Sequence, residues 1–348
     1  MSITVGIIGC GGIARFHALG LREVATIKWM CDLNLEAATH FATTYGGTAT
    51  TDAAAVMQDP AVDAVVITTI SRVHKRLCLA AIAAGKAVIC EKTLCENADD
   101  ALEVVRAAQA AGTILYTSYM KRFIPAVEQA KALMPQLGQI VSTHIRAYQC
   151  WGDVWQPAPA DFTPPSFAVE HYGGGVLVCG GSHILDLVCH FLGRPHRVYA
   201  SMYTPPGLDH DVQAAAMLET ANGVVHFEAL CHKRHRAGFL RDGWDESMEI
   251  VGQDGVLTIS TPLWNDIDSR GGRLVHEDHS TGQRNEYSYG PANNFGRADA
   301  FFVANIAAGR QGAQGRHTGY DVDELIATIT RSAAEHRALD VTYRLDPE

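Results

Sequence analysis

The residue types and spacings best suited to chemistry lie at the ends of apolar runs. After Val5-Gly6-Ile7-Ile8 the chain reads Gly9-Cys10-Gly11-Gly12-Ile13-Ala14 and then turns to a helical pattern. A G-x-G-x-x-A turn between strand and helix is suited to holding the pyrophosphate of a dinucleotide. Gly9 permits the tight turn, Gly11 lets the backbone approach the phosphates, and Ala14 allows close packing of helix on strand. The helix N-terminus adds unpaired N–H groups. A second apolar run, Ala25 to Cys31, ends at Asp32. A carboxylate there accepts hydrogen bonds from the adenosine ribose diol and repels a 2′-phosphate. No Arg or Lys follows in Leu33-Asn34-Leu35, so NAD is favoured over NADP. Further along, Val88-Ile89-Cys90 runs into Glu91-Lys92. An ammonium at the carboxyl end of a parallel strand can hydrogen-bond a substrate hydroxyl or carbonyl and pass a proton. A plain surface salt bridge is the other reading of that pair.

Three further groupings carry weaker signals. Cys179, His183, Asp186 and His190 share one face of a helical pattern. Four ligands strung along three turns do not converge on one ion, so no metal is expected. The basic cluster Lys233-Arg234-His235-Arg236 reads either as a solvated loop or as a selector for an anionic substrate, with Trp244 close behind it. The stretch from Trp151 to Tyr172, which includes Trp155, is long and rich in aromatic residues. It is read as a lid stacking on a sugar ring or as a contact with a neighbouring subunit.

The elements that must position these groups follow from periodicity. Strands are expected at Thr4–Ile8, Thr26–Cys31, Ala64–Thr68, Ala87–Cys90 and Thr113–Thr117. Helical patterns alternate with them, which implies a doubly wound parallel sheet covered on both faces. Beyond residue 120 the pattern changes to a helix at Ala126–Met134, a strand at Gln139–Tyr148, a helix ending near Leu192 and then consecutive antiparallel strands from Arg197 to Ser260. The fold class is therefore α/β. A Rossmann domain is expected over 1–120 and an α+β domain with a large, mostly antiparallel open sheet over 121–348. That sheet needs cover on one face, so a homodimer or homotetramer built through it is expected.

Bulk properties narrow the partners. The 348 residues carry a net charge of −10, which argues against nucleic acid and anionic membranes as partners. No apolar run approaches the ~20 residues of a membrane span. The chain enters a strand at once, without a signal segment, and its nine cysteines show no C-x-x-C pair. A cytoplasmic location with reduced thiols is expected.

Taken together, these segments resemble the glucose–fructose oxidoreductase/inositol dehydrogenase/rhizopine catabolism (Gfo/Idh/MocA) family over nearly the whole chain. The landmarks are the Gly9–Ala14 turn, Thr69 to His74, Gly85-Lys86 to Glu91-Lys92, Lys121-Arg122-Phe123, and Gly173-Gly174-Gly175 to Gly181-Ser182-His183 and Asp186. The resemblance implies NAD held by Gly9, Gly11, Gly12, Ile13, Ala14, Asp32, Thr69, His74, Glu91 and Lys92. It implies Lys92 and His183 as the catalytic pair that handles the proton during hydride exchange at a ring carbon of a sugar, sugar derivative or cyclitol. Arg122, Asp186, Cys179, Trp151, Trp155, Lys233, Arg234 and Trp244 are the substrate-side candidates.

The chain departs from the family pattern at Cys179, where an aspartate is usual, at Thr93 for proline, at Ile70-Ser71 for Pro-Asn, and at Met120-Lys121 before Arg122. These departures bring two alternatives forward. One is an NAD-dependent glycoside-cleaving enzyme that oxidises C3 transiently and recycles its NAD, on an anionic sugar. The other is an inactive dinucleotide-sensing regulator.

Overall fold

The structure, a computed structural model, describes residues 3–151 and 174–347. It divides into two units. The first holds Met1–Met120, Asn293–Asp323 and Tyr343–Glu348, and the second Lys121–Ala292 and Glu324–Thr342.

In the first unit, β1 (Thr4–Ile8), β2 (Thr26–Cys31), β3 (Thr48–Thr50), β4 (Ala64–Ile67), β5 (Ala87–Cys90) and β6 (Leu115–Thr117) form a parallel sheet in the order β3-β2-β1-β4-β5-β6. α1 (Ala14–Val24), α2 (Leu35–Tyr45), α3 (Ala53–Gln58), α4 (His74–Ala83) and α5 (Ala98–Ala111) connect them. All of β4 and nearly all of β1 and β5 are buried, as strands covered on both faces must be. The strand order reverses between β1 and β4, and the crevice beyond their carboxyl ends is where such sheets bind ligands. The strand β3 was not expected from the sequence; Thr48-Ala49-Thr50 is too short and too polar to carry a periodic signal.

In the second unit, α6 (Pro125–Leu133) precedes the long strand β7 (Ile140–Gln149). A π-helical stretch, Leu177–Gly181, leads directly into α7 (Ser182–Leu192). Then come β8 (Arg197–Tyr203), β9 (Gln213–Thr220), β10 (Gly223–Cys231), β11 (Asp245–Gly252), β12 (Gly255–Thr261), β13 (Arg273–Asp278), β14 (Arg284–Ser288) and, near the end of the chain, β15 (Leu339–Asp340). They form one sheet in the order β14-β13-β12-β11-β7-β10-β9-β8-β15. Its pairings are antiparallel except one: β10 runs parallel to β7, which sets His226 beside His144. That exception follows from the central place of β7, flanked by two strands that come much later in sequence. Alternation is regular, as in β12, where Leu257 and Ile259 point inward and Thr258 and Ser260 do not. The outward face carries half-exposed Tyr199 and Met217 and a stacked His144–His226 pair with ring centroids 4.5 Å apart.

The last helices are α8 (Asn294–Ala307) and α9 (Thr318–Glu335). The sequence reading assigned all of 121–348 to one domain, whereas α8 groups with the first 120 residues and lies against α1. A Cβ on Gly20 of α1 would stand 2.2 Å from the Cα of Gly296, so only glycine allows the two backbones to approach this closely. Phe16 and Phe295 stack beside that crossing at 5.2 Å.

Candidate active site

The first unit places the glycine turn at the switch point of its sheet. Gly9 has φ +102°, and a Cβ there would lie 2.8 Å from the Thr68 backbone, so both conformation and space demand glycine. Gly11 and Gly12 are exposed and face open space. Ala14 is fully buried against the sheet. α2, α3 and α5 are capped by the side chains of Asn34, Asp52 and Asn97. α1 differs: Ile13 gives it no side-chain cap, and its first turn holds no acidic residue. Its terminal N–H groups are thus left for an anion, which fits a pyrophosphate.

Asp32 stands at the end of β2 with its carboxylate fixed by two backbone N–H donors, Cys10 at 2.8 Å and Asn34 at 2.9 Å. Each oxygen keeps a further lone pair for a ribose hydroxyl. Asp32→Ser is expected to raise the affinity for NADP relative to NAD by about tenfold or more, because it deletes the charge that opposes a 2′-phosphate. Parallel titrations of the two reduced cofactors check this; an unchanged ratio would remove Asp32 from the selectivity.

Glu91 and Lys92 follow β5 at the same edge of the sheet. Glu91 is buried, while Lys92 is partly exposed. The Glu91 Oε1 meets His17 Nε2 at 3.0 Å, and its Oε2 accepts the Lys92 backbone N–H at 3.1 Å. Burial alone would raise the Glu91 carboxyl, but the bond and charge of His17 bring it below the usual range. Thr69 lies at the β4 end. His74 is fully buried, its ring nitrogens facing the carbonyl oxygens of Thr93 at 2.9 Å and Thr69 at 3.0 Å. The ring ties the two loops that border the crevice. The Lys92–Thr93 peptide is cis.

The second unit gathers the substrate-side candidates around α7 and the ends of β7, β10 and β11. Cys179 lies in the π-helical stretch and His183 in the first turn of α7. Both are 8% exposed. The Cys179 Sγ approaches the Gly174 carbonyl at 3.7 Å. The start of this helical segment is held by Asp211, whose carboxylate accepts N–H bonds from Gly175 and Leu177 at 3.1 and 2.9 Å.

Arg122 and Asp186 were expected to face substrate. They form a bidentate pair, Nε–Oδ2 2.8 Å and Nη2–Oδ1 2.6 Å, with Asp186 fully buried. Burial raises the Asp186 carboxyl against the pull of Arg122. Trp244 is 4% exposed and packs against Trp151 at 5.9 Å, so its ring is part of the interior. Lys233 and Arg234 are exposed on the loop after β10. Trp155 and the rest of the aromatic stretch after Trp151 lie outside the described residues.

Two arrangements were not anticipated. Lys121 is buried and bonds Glu246, which also accepts from Gln149 Nε2 at 2.9 Å and Thr261 Oγ1 at 3.0 Å. In the first unit, His17 lies between Glu91 and Asp299. His17 stands three residues past the glycine turn and Lys121 just before Arg122, and neither spacing signals its partner.

The chain compares with known proteins as follows. Residues 3–119 match the family described as "Oxidoreductase family, NAD-binding Rossmann fold", and residues 128–258 match the "GFO/IDH/MocA C-terminal domain". Levoglucosan dehydrogenase of Pseudarthrobacter phenanthrenivorans is 25% identical, over 98% of this chain and 98% of that protein. Inositol 2-dehydrogenase 2 of Saccharopolyspora erythraea is 28% identical over 75% of this chain and 74% of its own length. The solved structure of levoglucosan dehydrogenase in complex with NADH shares the fold with a TM-score of 0.83 at 22% identity, covering 98% of this chain and 100% of that one. With its six-stranded sheet, its glycine turn and its open antiparallel sheet all in place, the chain belongs to the Gfo/Idh/MocA family of NAD-dependent oxidoreductases.

Proposed function

We propose that the protein transfers hydride between NAD and a ring hydroxyl or ketone of a sugar, sugar derivative or cyclitol, with Lys92 and His183 handling the proton. The observation that carries this reading is the place of Lys92. It stands at the carboxyl end of β5, beside the switch point, with its backbone anchored through Glu91 and its side chain partly exposed. NAD supplies the hydride acceptor when bound. An ammonium at this position hydrogen-bonds the reacting oxygen and stabilises alkoxide charge as it forms. An imidazole takes up the hydroxyl proton near neutral pH. The relatives named for levoglucosan and inositol support a ring polyol as substrate.

The test is NADH formation from NAD with a panel that includes levoglucosan and myo-inositol, followed by the near-ultraviolet absorbance. Sustained NADH growth with one of them supports the reading. A panel without net NADH sinks ordinary dehydrogenase turnover.

One observation favours a second reading. A buried thiol at Cys179, set against the Gly174 carbonyl, supplies no carboxylate to raise the basicity of His183. This suits a cycle in which hydride leaves C3 of a glycoside and later returns. Its signature is deuterium entering C2 during cleavage of a nitrophenyl glycoside in D₂O, with no net NADH; retention of the C2 proton excludes it. Lys233 and Arg234 give an anionic sugar a place to interact.

A further inference from the structure

We infer that His17 is a positioning residue for Lys92: a buried imidazolium, anchored by Asp299, that clamps Glu91 and through it fixes the Glu91–Lys92 turn. The inference rests on the reading of Lys92 as a catalytic group.

The geometry is a three-element chain within the first unit. His17 comes from α1, Asp299 from α8, and Glu91 from the end of β5. His17 and Asp299 are fully buried, and Glu91 is 6% exposed. The His17 Nδ1 lies 2.9 and 3.0 Å from the two Asp299 oxygens, and its Nε2 lies 3.0 Å from Glu91 Oε1. Both ring nitrogens therefore face carboxylate oxygens, and only the imidazolium can donate to both sides at once. The edge of the Phe295 ring closes the site at 5.3 Å. The other oxygen of Glu91 holds the Lys92 N–H. Glu91 is thus gripped on one side by His17 and grips the lysine backbone on the other, while His74 holds the Thr93 carbonyl one residue further on. A turn restrained at both neighbours leaves Lys92 a narrow range of positions, and pre-organisation of this kind matters to a group that meets a reacting oxygen.

The charges agree with the geometry. Burial would lower His17, but Asp299 and Glu91 outweigh it and push the imidazole up to about 10. Burial raises the Asp299 carboxyl despite His17. The groups facing His17 are these two carboxylates, with Lys92 next in line through Glu91. A folded-state value above the ordinary 6.5 means that the cation stabilises the fold in full below that value. The contribution is lost as pH rises through about 10. The melting temperature is therefore expected to fall between about pH 7 and 10, and His17→Gln is expected to flatten that fall.

The deciding experiment compares wild type, His17→Gln, Lys92→Ala and the double variant. Amide exchange at Lys92, followed by NMR, needs no substrate. It is expected to quicken about tenfold in His17→Gln, with NADH affinity within about twofold of wild type. With myo-inositol as probe, kcat is expected to fall about tenfold with KM for NAD unchanged, and His17→Gln is expected to add no further loss to Lys92→Ala. Histidine ring ¹⁵N shifts are expected to show both His17 nitrogens protonated at pH 8. Unchanged exchange at Lys92, a neutral His17 ring, or a His17→Gln penalty that persists in full beside Lys92→Ala would each overturn the inference. Full activity in Lys92→Ala would instead overturn the role given to Lys92, leaving the exchange result to judge His17. If His17→Gln folds poorly, Asp299→Asn removes the anchor's charge while keeping the imidazole, and the same order of effects is expected.

Discussion

Lys92→Met is expected to lower kcat by about a thousandfold while leaving NADH binding within about threefold of wild type. Methionine keeps the length and most of the volume of the side chain but deletes the ammonium. The Gly9–Ala14 turn, the uncapped start of α1 and the Asp32 carboxylate, which we propose hold most of the dinucleotide, are untouched by the substitution. Glu91 and His74 also remain, and they bond backbone atoms at residues 92 and 93 that the substitution does not touch. The variant therefore separates chemistry from binding. Fluorescence titration with NADH reports the second and turnover of the active polyol the first. A kcat within tenfold of wild type would show that the proton and the alkoxide charge are managed without this lysine.

The second large effect is on stability. Lys121→Met is expected to destabilise the protein by about 3–5 kcal/mol, because it strands the Glu246 carboxylate in the interior without its cation. The side chains of Lys121 and Glu246 are 3% and 1% exposed, so water cannot compensate. Gln149 and Thr261 continue to donate to Glu246, but neither brings a charge. The double variant Lys121→Met, Glu246→Leu removes both ions together and is expected to recover most of the loss, since a buried pair gains little over well-packed apolar side chains. Urea midpoints of the two variants give the comparison. A single variant as stable as wild type would mean that Glu246 finds another partner or a proton at little cost.

What was legible in the sequence was what local physics decides. The glycine turn, Asp32 and the buried runs of β1, β4 and β5 were readable because each depends on neighbours in sequence. The strands β13 and β14 were not. Arg284-Asn285-Glu286-Tyr287-Ser288 is almost wholly exposed, and it is held as a strand by its ladder to β13 instead of by an apolar stripe. Site residues divide along the same line. Glu91-Lys92 announced itself by following a buried strand. Arg122 and Asp186 stand out in the sequence, but their mutual pairing joins residues far apart in the chain, and no spacing rule foretells it. His17 and Asp299 were silent for the same reason: a buried histidine looks like any other until the carboxylates that charge it are in place.

The docking of α8 on α1 governs the order in which the protein can be completed. All six strands of the parallel sheet are present once the chain has passed Thr117, yet the face of α1 that carries Phe16, His17 and Gly20 waits for residues beyond Asn293. Until they arrive, an aromatic ring lacks its partner and a buried histidine lacks one of its two carboxylates. A fragment that stops at Met120 therefore holds a glycine turn without the support behind it. Synthesis of the first unit ends only after the second has been laid down, so the support for its glycine turn is among the late contacts to form.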